Sequence, residues 1–159
     1  MTGVATSARE ERSKLRAHLV EGTRAVYSLV KGKRDWRVTG AVGARVSYFE
    51  CTLPAARESS ARVATLVRQF VHGEGADEGL FESLWEYLSA LPSLNANEVR
   101  IAEYVAVLRI LAALGYVAKT DDVEEFIGPT YSAALLASAD KKRKRLVERI
   151  NQGLGASGL

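Results

Sequence analysis

The apolar residues of this chain change their period near residue 50, and that change constrains the fold more than any single motif. Residues 24–31 and 35–42 are rich in β-branched and aromatic types. They flank Lys31-Gly32-Lys33-Arg34, where Gly32 can supply a positive φ, and together they read as a β-hairpin. Period two places Arg34, Trp36 and Val38 on one face and Asp35, Arg37 and Thr39 on the other. Residues 15–20 read as a preceding strand.

Beyond about residue 55 the period becomes 3.6. Val63, Leu66, Val67, Phe70 and Val71 line one face of a first helix, which Gly73 and Gly75 end. Asp77 can cap a second, with Leu80, Phe81, Leu84, Trp85, Leu88 and Leu91 directed inward and Pro92 at its close. Asn95 or Asn97 caps a third helix that runs to Leu114 and stops at Gly115. From Tyr104 to Leu114 its one charged residue is Arg109, so this helix is expected at the centre. Asp121-Asp122 and Gly128-Pro129 bracket a short element. A last helix is expected from Ser132 to Gln152, with Leu135, Ala139, Leu146, Ile150 and Leu154 inward, and residues 153–159 read as a frayed end. The expected class is α+β: a small β unit over residues 1–50, then a bundle of four to five helices over 51–159. A sheet this small is barely stable alone, so it must pack on the helices, pair with another chain, or be part of something cut short.

Charge is unevenly spread. Residues 1–50 hold ten Lys/Arg against five Asp/Glu, residues 51–139 six against twelve, and residues 140–159 six against two. A basic head, an acidic middle and a basic tail suit different partners, or simply a solvated surface. No apolar run approaches the roughly 20 residues of a membrane span. The start, Met1-Thr2-Gly3-Val4-Ala5-Thr6-Ser7, lacks the pattern of a signal peptide, and the single cysteine, Cys51, cannot form an internal disulfide. These features fit a cytoplasmic protein.

Residues suited to catalysis are sparse. His18 and His72 have no ligand neighbours at metal-binding spacing. His18 reads as a solvated strand residue and His72 as a cation at a helix C-terminus. Cys51 has no nearby base, and there is no Walker A sequence. Gly153-Leu154-Gly155-Ala156-Ser157-Gly158 matches a dinucleotide-binding fingerprint, but a helix precedes it where a strand is required. No enzyme, cofactor or metal is expected.

The cations carry more. Arg9, Arg12, Lys14 and Arg16 form one cluster; Lys31, Lys33, Arg34 and Arg37 form another, interleaved with Tyr27 and Trp36. A positive groove with stacking aromatics holds single-stranded nucleic acid without reading sequence. Trp36 itself reads rather as an anchor that packs the sheet on the helices, because a small sheet needs anchors. Lys141-Lys142-Arg143-Lys144-Arg145 spans more than one helical turn and suits either solvation or phosphate contacts. Arg109 can snorkel, pair with an acid such as Glu103, or meet an anionic partner.

Read in order, Ala8–Leu19, Ser28–Ala41 and Leu108–Tyr116, the last ending Leu-Gly-Tyr, resemble successive segments of the RecO family of DNA repair and recombination mediators. The resemblance implies a partial OB-fold followed by a helical domain. It implies binding and annealing of single- and double-stranded DNA, help in loading recombinase, and contacts with RecR and with the acidic tail of single-stranded DNA-binding protein. Arg109 matches the family's central-helix arginine and becomes the candidate for the tail. The nucleic-acid candidates are Arg9, Arg12, Lys14, Arg16, Lys31, Lys33, Arg34, Trp36, Arg37, Lys141, Lys142, Arg143 and Lys144. The implied location is the cytoplasm, at the nucleoid. Two departures stand out. About 30 residues, two strands of the family's OB-fold, have no counterpart before Arg9, as in a fragment, a misplaced start or a reduced form. The segment after Leu-Gly-Tyr, Val117–Asp122, lacks the zinc cysteines of many relatives, as zinc-less variants do. The competing reading is a helical protein-interaction module without DNA binding of its own.

Overall fold

The structure is a computed structural model and describes residues 3–5, 15–19, 23–33, 35–46, 53–71, 78–128 and 130–158. The chain divides into two compact units, Met1–Glu50 and Cys51–Leu159. Its architecture is α+β, with a three-stranded mixed sheet and six α-helices among the described residues.

In the first unit β1 is Gly3–Val4, β2 is Thr23–Lys31 and β3 is Trp36–Val46, in the order β1-β3-β2. β2 and β3 form the expected antiparallel hairpin, with Lys31 opposite Trp36, Val30 opposite Arg37 and Val26 opposite Val42. Gly32 N–H donates to Asp35 O at 2.9 Å and closes the turn. β3 carries an extra residue at two places, between the partners of Arg24 and Val26 and between those of Ser28 and Leu29. Gly43, at φ +66°, supplies the left-handed backbone for the first of these bulges.

The expected strand over residues 15–20 does not form over its described part, residues 15–19. Arg16–His18 is a single 3-10 turn, and the third strand is instead β1, paired parallel to the start of β3. Local alternation could not foresee this, because a two-residue strand has no pattern of its own. The turn packs on β2 and β3. Leu15 is buried beside it, and Tyr27 Oη donates to His18 O at 2.5 Å. His18 is accordingly half-buried in a turn, not solvated on a strand, and its Nδ1 has no hydrogen-bond partner among the described residues.

In the second unit α1 is Pro54–Phe70, α2 Glu78–Ala90, α3 Ala96–Ala113, α4 Asp121–Ile127, α5 Ala133–Lys141 and α6 Arg143–Ser157. Pro54 opens α1, where its missing N–H costs nothing. Residues 72–77, with His72 and the expected signals Gly73, Gly75 and Asp77, lie outside the described residues, as do Cys51 and Pro129. Asn95 caps α3 through a full capping box: its Oδ1 accepts from Asn97 and Glu98 N–H, and the Glu98 carboxylate accepts from Asn95 N–H. At the far end Gly115, at φ +80°, closes a Schellman turn, with Tyr116 N–H on Leu111 O and Gly115 N–H on Ala112 O.

α3 is central, as its all-round apolar surface predicts, and packs against α1, α2, α4, α5 and α6. Val99, Ile101, Val105, Leu108, Ile110 and Leu111 are all buried. Each such side chain contributes about 1.5–3 kcal/mol on leaving water. α2 is less embedded than its stripe suggests: Leu80 and Tyr87 are buried, whereas Phe81 stays 50% exposed.

The expected last helix is two. α5 is capped by Ser132, whose Oγ accepts from Leu135 N–H, and the chain leaves helical geometry at Lys142. No Gly or Pro marks that break, so the periodicity runs through it unaltered. The end is not frayed either. α6 continues to Ser157, and Gly153 is buried against Val117 and Leu111.

Candidate functional site

The cationic candidates fall into separate groups. Arg9, Arg12, Lys14 and Arg34 lie outside the described residues. Arg16 is exposed on the 3-10 turn. Lys31, Lys33 and Arg37 are all exposed at the closed end of the hairpin, and none has an ion-pair partner among the described residues. The pleat divides them. Lys31 and Trp36 are a cross-strand pair on the half-buried face, with the Lys31 ammonium 5.3 Å from the indole centroid. Arg37 lies on the opposite, exposed face beside Val30. Gly32, Lys33, Asp35 and Arg37 line a concavity of about 680 Å³ at the turn.

The aromatics are placed differently from the cations. Tyr27 and Trp36 both belong to the half-buried face, Tyr27 tied to the His18 carbonyl and Trp36 beneath Lys31. Trp36 thus lies on the half-buried face of the hairpin, paired across the strands with Lys31.

In the helical unit Lys141, Lys142, Arg143, Lys144 and Arg145 are all exposed around the α5–α6 break. Two acids of α4 divide the run. Lys142 pairs with Glu125, and Arg145 Nε reaches Asp122 at 3.0 Å, where Arg149 Nε also lies at 3.1 Å. Lys141, Arg143 and Lys144 have no ion pair among the described residues. Hydrogen bonds from the Thr120 hydroxyl and from Arg149 hold the Asp122 carboxyl well below the ordinary carboxylate range. The Lys142 ammonium lowers Glu125 in the same way. Asp122 and Glu125 precede their partners by 17 to 27 residues, so no local spacing announced these pairs.

Arg109 is 3% exposed. Its Nε donates to Phe126 O at 2.6 Å and one terminal nitrogen to Thr130 O at 3.0 Å, and its guanidinium carbon lies 4.4 Å from the Tyr131 ring centroid. Burial lowers its pKa from an ordinary value near 12.5. This cation ties the connector after α4 to α3 and is not displayed to a groove. Glu103, weighed as its acid, is engaged by Arg62 Nε and a terminal nitrogen, both at 2.7 Å, and by Ser59 Oγ at 2.6 Å. Ser59 also bonds Tyr87 Oη at 2.6 Å, so one polar network joins α1, α2 and α3. Sequence reasoning missed it because Ser59, Tyr87 and Glu103 sit in otherwise ordinary helical stripes.

Among the described residues no cluster of three or more His, Cys, Asp or Glu is arranged to hold a metal ion. No described helix is long and apolar enough to cross a membrane. No family model, curated protein or solved structure matches this chain.

Proposed function

We propose that this protein is a nucleic-acid-binding mediator of DNA repair and recombination, of the RecO kind, which binds and anneals single-stranded DNA and helps load recombinase without catalysing a reaction. The observation that supports this most is the hairpin end, where Lys31, Lys33 and Arg37 are exposed with no ion-pair partner among the described residues. Cations without an ion pair among the described residues, exposed at a turn, are placed to displace counterions from phosphate. The order of a small three-stranded mixed sheet followed by a helical unit also fits the RecO resemblance. On this reading double-stranded DNA is bound as well, RecR and the acidic tail of single-stranded DNA-binding protein are the protein partners, and the protein works at the nucleoid.

The test is the affinity of the whole chain for a fluorescent single-stranded oligonucleotide at about 50 and 200 mM salt. Three phosphate contacts give a slope near −2 in log affinity against log salt, so binding weakens about twentyfold across that range. Binding that is absent, or indifferent to salt, favours the alternative of a helical protein-interaction module. The exposure of Phe81 (50%) and Tyr116 (38%) on the helical unit supports that alternative.

A further inference from the structure

The faces of the hairpin carry different chemistry. Tyr27, Leu29, Trp36 and Val38 share the half-buried face. Val26, Ser28, Val30, Arg37 and Val42 share the exposed one, with Val26 75% and Val42 71% exposed. Both aromatics of the hairpin are therefore on the side away from Arg37. The Trp36 ring already receives the Lys31 ammonium at 5.3 Å, and the Tyr27 hydroxyl is spent on the His18 carbonyl. Apart from Arg37, the described side chains of the exposed face are aliphatic or small, and none carries an aromatic ring to stack a base.

We infer that the hairpin grips the sugar-phosphate backbone alone, through Lys33 and Arg37 at the turn, and that Trp36 is a positioning residue for Lys31 rather than a platform for a base. This rests on the nucleic-acid reading above and specifies its ligand chemistry: a polyanionic phosphate chain, recognised without regard to base identity or to the presence of bases. Arg37 can present its planar fork to a phosphate while Lys33 adds a point charge. Asp35 shares their concavity and opposes the anion, which limits the site to a modest grip.

The experiment compares wild type with the Lys33→Ala/Trp36→Leu/Arg37→Ala triple variant on two ligands of equal length, a mixed-sequence oligonucleotide and its fully abasic counterpart. The ratio of affinities, wild type over variant, measures the hairpin's share. A base–aromatic stack strengthens binding roughly five- to a hundredfold per base. Backbone-only contact predicts the same ratio on both ligands, within about twofold. A ratio at least fivefold larger on the base-bearing strand would overturn the inference while leaving nucleic-acid binding intact. A ratio of one on both ligands would remove the hairpin from the site and sink the two readings together. Circular dichroism of the variant confirms that the fold is kept; Lys33→Gln/Trp36→Leu/Arg37→Gln serves if alanine disturbs the turn.

Discussion

The guanidinium of Arg109 stacks on the ring of Tyr131, 4.4 Å from its centroid, while spanning the carbonyls of Phe126 and Thr130. A charge inside an apolar helix is thereby satisfied by backbone dipoles and a π-face. Arg109→Ala should cost roughly 3 kcal/mol, since hydrogen bonds to a charged group contribute about 1.5–3 kcal/mol each and the buried Phe126 carbonyl is left unpaired. Urea unfolding followed by circular dichroism reads this as a lower midpoint. An unchanged midpoint would mean that the residue is not a structural tie.

Stability should respond to pH at both ends. Burial tends to raise the Glu103 carboxyl, but hydrogen bonds from Arg62 and Ser59, with the Arg62 charge, lower it below its ordinary 4.5. A depressed carboxyl contributes stability that is present above its unfolded value and lost as pH falls through the folded one. Acid destabilisation should therefore begin below about pH 4.5 and be blunted in Glu103→Gln. Burial pushes the Tyr87 and Tyr131 hydroxyls well above 10. Their stabilisation is complete below pH 10 and lost as pH rises beyond it, so thermal unfolding midpoints should drop on the alkaline side.

Two glycines of α6 should respond to alanine with opposite signs. A Cβ on Gly153 would lie 2.7 Å from Val117 Cγ2 and 3.1 Å from Leu111 Cδ1. The clash costs about 1–3 kcal/mol and outweighs the roughly 1 kcal/mol of helix propensity that alanine adds. A Cβ on Gly155 meets nothing within 4 Å, so Gly155→Ala should stabilise by about 0.5–1 kcal/mol. Matched melting curves decide it; equal shifts would show that α6 does not approach Val117 this closely.

The basic run should separate into binding and structural cations. Asp122 neutralises Arg145 and Arg149 and is spent on them. Asp122→Asn removes one negative charge and frees two positive ones, so it should strengthen oligonucleotide binding several-fold at low salt and steepen the salt slope by up to about one. Lys141→Ala/Lys144→Ala should weaken binding and flatten the slope while melting like wild type. If both variants bind as wild type does, the α5–α6 patch is only a solvated surface.

Local chemistry determined a good deal by itself. The β2–β3 hairpin, the Asn95 cap, the Gly115 stop and the central place of α3 follow from alternation, capping residues and an all-round apolar stripe, all of which act within a few residues of chain. The tertiary structure decided what depends on distant partners. A two-residue β1 exists only because β3 is there to pair with it, and residues 15–19 turn because Leu15 and the His18 carbonyl have β2 and β3 to meet. Lys142, where α5 gives way to α6, pairs with Glu125 of α4, and Gly153 is buried against Val117 and Leu111; nothing in the local sequence of α5 or α6 marks these partners. The same distinction governs the candidate site. Charge placed the cations in the sequence, but the pleat sent Arg37 to one face and Trp36 to the other, and acids 17 to 27 residues upstream divided the basic run. Charge is a property of the residue, whereas an unpaired charge is a property of the fold.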